Sequence, residues 1–150
     1  MPTPFPVLTG EPSLSFEDRV TLDTLDRVRA FVETCGDNLG VTEAALSDLK
    51  VAVDEAVTNI VLHGYGGEGG PLSIRVEADG GDVHITIRDR AEPFDPSAQP
   101  APRLEEPLNK RAIGGMGLFL VRKMTDDVRF VPLDDKGNEL RLVKRGAIRR

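Results

Sequence analysis

Three groups of residues have types and spacings that can do chemistry. The first is Glu55, Asn59 and His63, at i, i+4 and i+8 in a stretch of helical periodicity. At 100° per residue they fall within an arc of about 80°. A carboxylate one turn from an amide oxygen can supply a general base together with a ligand for a hard cation. Magnesium suits such a site because it keeps waters and phosphate oxygens in its other positions. The competing reading is a solvated polar face. Against it, Val51 and Leu62 flank the Glu55 side, and an asparagine has little reason to sit mid-helix unless its amide is used. His63 has two open roles, capping the last carbonyls of the helix or touching a ligand.

The second group centres on Asp89, in the run Ile87-Arg-Asp-Arg-Ala-Glu-Pro-Phe94. A carboxylate that ends a buried strand can accept a hydrogen bond from an exocyclic amine such as adenine N6. It can equally cap a turn. The third group is Gly114-Gly115-Met116-Gly117-Leu118. Glycines let a backbone approach phosphates, and the N–H groups that begin a helix face the anion. No Gly-Lys-Ser/Thr follows, so this is not a Walker A loop. Leu120 stands where the third glycine of a dinucleotide fingerprint belongs. A hinge is the alternative.

Hydrophobic periodicity sets out the elements that must position these groups. Residues 1–12 hold four prolines and read as an extended arm, with a short strand near Ser13 to Phe16. Leu22, Leu25, Val28 and Val32 mark an amphipathic helix ending near Gly36 to Gly40. Thr42 suits the N-cap of a second helix reaching about His63, with Leu46, Leu49, Val53, Val57 and Ile60 as its apolar stripe. Two alternating runs, Leu72 to Ala78 and Val83 to Ile87, are joined by Asp79-Gly-Gly-Asp and read as a β-hairpin. Residues 90–112 carry five prolines and little periodicity, as a lid or binding loop does. A third helix then runs through Leu118, Leu120 (or Val121) and Met124. Strands near Val128 to Val131 and Leu140 to Lys144 close the chain. Hairpin-linked strands with helices gathered on one face make a two-layer α+β sandwich.

Composition removes several function classes. The chain has 150 residues, 39% hydrophobic and 29% charged, which suits one globular domain with its own core. Its net charge of −6 argues against coating nucleic acid or an anionic membrane. Arg141, Lys144, Arg145, Arg149 and Arg150 read as a solvated basic tail. Cys35 is the single cysteine, so no intramolecular disulfide forms and a cysteine zinc site is disfavoured. Neither a secretory signal nor a transmembrane run is present, which points to a reducing cytoplasm.

The order and intervals of these groups say more than each group does. Glu55-x-x-x-Asn59, a hairpin ending in Asp89, a lid, and Gly-Gly-Met-Gly before a helix together resemble the GHKL ATPase superfamily. Within it the chain resembles the anti-sigma-factor serine/threonine-protein kinases. Leu49-Lys-Val-Ala-Val-Asp-Glu-Ala-Val-Thr-Asn-Ile-Val-Leu-His-Gly-Tyr65 carries most of the likeness, which spans roughly Leu22 to Arg145. The resemblance implies the GHKL (Bergerat) ATP-binding fold, with a mixed, mostly antiparallel sheet, over a single domain of residues 1–150. It further implies ATP and Mg²⁺ as cofactors. Glu55 would be the catalytic base, and Asn59 would hold the metal against the phosphates. Asp89 would select adenine, and the backbone of Gly115 and Gly117 would contact the phosphates under a lid of about 90–112. Nucleotide contacts extend by the same resemblance to His63, Ala91, Phe94, Lys110, Arg111, Gly114, Met116 and Leu118. Two departures stand out: Ala91 replaces the last glycine of the family's Asp-x-Gly motif, and Lys110 and Arg111 lie upstream of the family's usual basic residue.

The implied partners are a serine-bearing anti-anti-sigma protein of the STAS type, as substrate, and a sigma factor. Homodimerisation is left open. A runner-up reading is a non-catalytic partner-binding module with a kept or degenerate nucleotide pocket. A histidine-kinase catalytic domain or an ATPase clamp is disfavoured, because both need further domains. On this reading 150 residues leave no room for a substrate domain, so the substrate is another molecule.

Overall fold

The computed structural model describes residues 13–92, 113–134 and 136–149, with the backbone alone for 113–118. The elements run in the order β1 (Ser13–Val20), α1 (Leu25–Leu39), α2 (Glu43–Asn59), β2 (Gly70–Asp79), β3 (Asp82–Asp89), α3 (Ile113–Met124), β4 (Asp127–Pro132) and β5 (Asn138–Lys144). The five strands form one sheet in the order β1-β2-β3-β5-β4. All four pairings are antiparallel, where the resemblance implied a mixed sheet.

Alternation along β2 and β3 decides which face of the sheet is covered. Leu72, Ile74, Val76, Val83, Ile85 and Ile87 are all buried and point to one side. Arg75, Glu77, Thr86 and Arg88 lie on the other side, where Arg88 and Arg141 pair with a buried Glu139. The helices cover the apolar side, with α2 packed against both α1 and α3. Leu49, Val53, Val57 and Ile60 are buried as the helical stripe requires. Thr42 caps α2, its hydroxyl accepting the Ala45 N–H at 3.2 Å. Gly36, inside α1, lies against the Leu46 side chain of α2, which a Cβ at that position would force to shift.

Four local expectations are corrected. The first strand runs from Ser13 to Val20 because the whole segment pairs with β2, not only its first turn of apolar residues. Leu22 is 45% exposed and belongs to a short 3₁₀ turn, Leu22–Thr24, so the α-helical stripe begins at Leu25. The second helix is α-helical only to Asn59 and then widens into a π turn, Ile60–Gly64. The basic end is solvated only in part, with Arg145 and Arg149 exposed. Arg141 pairs with Glu139, and Lys144 bonds both the Asp48 carboxylate on α2 and the Met124 carbonyl that ends α3. Ile148 bridges to Val41, and the Arg149 N–H donates to Gly40 O. Of that group, Arg150 lies outside the described residues.

Candidate functional site

The apolar stripe of α2 faces the sheet, which turns Glu55 and Asn59 toward a different side of the same helix. Glu55 is half-buried. Desolvation, helped by the neighbouring Asp54 carboxylate, lifts its pKa above the ordinary glutamate value. Asp54 is itself paired with Arg29 of α1 at 2.7 Å. Val51, expected to shelter the Glu55 side, is 37% exposed, so this face stays open to a reactant.

Asn59 is 7% exposed, and its Oδ1 is the buried side-chain atom left without a hydrogen-bond partner among the described residues. Such an orphan acceptor costs about 1–3 kcal/mol unless something arrives to use it. The backbone changes character one residue later. The Tyr65 N–H reaches back five residues to Ile60 O at 2.9 Å, closing a π turn of a kind often found at functional sites. His63, carried on this turn, is exposed.

The second cluster forms where β3 ends. Asp89 is 4% exposed, and burial raises its pKa against the opposing effect of its hydrogen-bond donors. Its Oδ1 accepts the Asn138 Nδ2–H and the Ala91 N–H, each at 2.9 Å. Capping the turn leaves acceptor capacity for a further donor, since an ionised carboxylate offers about four acceptor positions. Ala91 is buried, and no non-glycine among the described residues has positive φ. The methyl that replaces glycine therefore forces no left-handed backbone. Just before the adjoining strand Gly137 adopts φ +107°, and a Cβ there would stand 2.1 Å from Asp89 O. Only glycine fits so close an approach.

The sequence reading did not single out Asn138 or Tyr65. Asn138 is 1% exposed and faces Asp89 across the β3–β5 pairing. Counting out the register of the last strand would have found it, but the sequence leaves that register open. The Tyr65 hydroxyl bonds both Pro71 O and the Arg90 N–H. Its position, just after the helix and among glycines, was the available signal.

The third cluster is the start of α3. Gly114, Gly115, Met116 and Gly117 lie in the first turns of this helix, whose backbone begins at Ile113. The first four N–H groups of a helix have no partner within it, and the dipole there favours an anion. Leu118 follows on the same helix. Phe94, Lys110, Arg111 and most of the lid at 90–112 lie outside the described residues, as does the arm at 1–12.

These residues fit a magnesium–nucleotide pair in kind. The orphaned Asn59 Oδ1 is a neutral, hard oxygen, and a phosphate-bound Mg²⁺ needs few protein ligands. Among the described residues no set of three or more His, Cys, Asp or Glu is arranged to hold a metal. A single-oxygen site completed by phosphates is therefore the arrangement these residues can offer.

Comparison with known proteins agrees with this geometry. Residues 19–144 match the family model described as the histidine kinase-like ATPase domain. The chain belongs to that family. Within the family it is 31% identical over 147 residues to the anti-sigma F factor of Geobacillus stearothermophilus, covering 91% of this chain and 93% of the relative. It is 40% identical over 96 residues to the serine-protein kinase RsbW of Oceanobacillus iheyensis, and spans 61% of that kinase. The solved RsbU and RsbW domains of Rv1364c from Mycobacterium tuberculosis share the fold, with a TM-score of 0.65 at 20% identity. That match covers 89% of this chain and 32% of the solved one. The histidine kinase-like ATPase fold thus accounts for the sheet, its three covering helices and their order. Among the described residues no helix is long and apolar enough to cross a membrane.

Proposed function

We propose that this histidine kinase-like ATPase domain binds ATP with Mg²⁺ and transfers the γ-phosphate to a serine of a partner protein. The observation that carries the reading is the buried, unpartnered Asn59 Oδ1, one helical turn after a half-buried Glu55 held above its usual pKa. The relatives named serine-protein kinase and anti-sigma F factor support it.

Asn59 Oδ1 would hold the metal, which when bound neutralises charge on the phosphates. The N–H groups at the start of α3 would face the phosphate oxygens. Asp89, steadied by Asn138 and Ala91, would accept the adenine N6–H. Glu55 would accept the serine hydroxyl proton as that oxygen bonds to the γ-phosphorus and the bond to the β-phosphate oxygen breaks. Phosphoryl transfer asks a protein mainly to position reactants and stabilise charge, so a small set of groups is sufficient. A carboxylate whose pKa is raised by burial is a stronger base, once ionised, than an ordinary glutamate.

The substrate that fits is an anti-anti-sigma protein of the STAS type, with a sigma factor as the restrained partner and the cytoplasm as the setting. A new phosphoserine brings a charge of about −1.5 to −2. Set against a chain of net charge −6, it would favour release of the product. Incubation with γ-labelled ATP, Mg²⁺ and candidate STAS proteins tests this. Label on a partner serine, abolished by Glu55→Ala, is expected; no label on any candidate, with wild type and variant alike, removes the kinase claim.

A second reading, a partner-binding module without turnover, draws on Ala91, where the related motif has glycine. It predicts partner capture that neither ATP nor Glu55→Ala alters.

A further inference from the structure

Beyond the groups that would touch ATP, one side chain joins three parts of the site. We propose that Tyr65 is a positioning residue for nucleotide selection: its hydroxyl ties the residue after Asp89 to the start of β2, and so fixes the Asp89 carboxylate relative to the Asn59 end of α2. The proposal rests on the reading of Asp89 as the adenine acceptor.

The hydrogen bonds define the clamp. The Tyr65 O–H donates to the Pro71 carbonyl at 2.5 Å, because a carbonyl can only accept. The same oxygen accepts the Arg90 N–H at 2.7 Å. Arg90 is one peptide bond from Asp89. Tyr65 is also the residue whose N–H closes the π turn on Ile60 O, immediately after Asn59 and Ile60. One residue thus bonds the end of the α2 segment, the entry to β2 and the exit from β3.

The ring is seated as closely as the hydroxyl. Gly70 lies against its face, where a Cβ would come within 2.5 Å of the ring carbon Cε1. The ring packs against the hydrophobic core. Burial raises the phenol pKa, so the hydroxyl keeps the proton it donates to Pro71 O. On the other side of the strand end, Gly137 backs onto Asp89 O and Asn138 binds Asp89 Oδ1. Asp89 is therefore gripped from two directions, and Tyr65 is the grip that reaches α2.

Tyr65→Phe keeps the ring on Gly70 and removes both hydroxyl bonds, so it separates positioning from packing. The measurement is the dissociation constant of the full chain for MgATP and for MgGTP, with Asp89→Asn as reference. Wild type is expected to prefer ATP, and Asp89→Asn to abolish the preference. Tyr65→Phe should weaken ATP about 3- to 10-fold, the worth of a hydrogen bond or two, and leave GTP nearly unchanged. Gly70→Ala, which presses on the ring, should narrow the ATP/GTP ratio likewise. An unchanged ratio in Tyr65→Phe, with Asp89→Asn collapsing it, overturns the clamp and spares the adenine reading. A wild type without preference, or one matched by Asp89→Asn, removes both. Hydrogen exchange gives a check that needs no variant to fold: the Arg90 amide of the wild type should be protected, and exchange at the rate of an open amide contradicts the proposal.

Discussion

Glu55 and Asp89 are carboxylates kept in surroundings that disfavour their charge. Each has a folded pKa above its ordinary value. The stabilising contribution of such a group is complete at acid pH and is lost as pH rises through the folded pKa. Ionising either group therefore comes at a cost to the fold. Glu55→Gln removes that cost for a partly solvated group, and should raise the melting temperature at pH 7 by about 1–3 °C while ending transfer. The gain should shrink as pH falls into the carboxylate range, which a melting series from pH 4 to 8 would follow. If Glu55 is the base, the acid limb of the transfer rate should also lie above the usual glutamate range. Asn59 belongs to the same pattern of stability given up for chemistry. Its buried oxygen lacks a partner, so Asn59→Ala should leave stability level or improved even though it shortens a buried residue.

At the scale of elements, the close approach of Gly137, just ahead of β5, to the end of β3 holds Asp89, the proposed adenine acceptor, in place. Gly137→Ala would set a Cβ 2.1 Å from Asp89 O at a φ of +107°. It should cost about 1–3 kcal/mol in denaturant unfolding and weaken ATP binding with it. Thr42→Ala, which removes the cap of α2, should cost about 1 kcal/mol with little change in nucleotide affinity, because the cap lies at the far end of that helix from Asn59. The contrast separates damage to the site from general loss of stability.

The same scale shows what the sequence made legible. The stripe from Leu49 to Ile60 and the alternation in β2 and β3 were readable because burial on one face imposes a period. The π turn was not, since one extra residue in a helical turn barely alters an apolar pattern already ending in glycines. Asp89 was visible as a carboxylate closing a strand. Its partner Asn138 lies 49 residues on, and only the β3–β5 register brings the two together. The basic residues near the end misled for a related reason. A charge run looks solvated until its acidic partners on other elements, Asp48 and Glu139, are in view.

For the whole molecule, the proposed function implies a fold completed by its ligand. An orphaned oxygen and two strained carboxylates predict that MgATP stabilises the native state by mass action. At about 100 times the dissociation constant the gain is about 2.7 kcal/mol. For a chain of 150 residues that is a rise of about 5–10 °C in melting temperature. Magnesium or ATP alone should produce much less. The most direct test of the central claim is a calorimetric titration of ATP, with and without Mg²⁺, into wild type and Asn59→Ala. Magnesium-dependent binding in the wild type is expected, with at least a tenfold loss of affinity and of the magnesium dependence in the variant. Absence of binding in the wild type, or the same magnesium-dependent affinity in both proteins, would contradict the account.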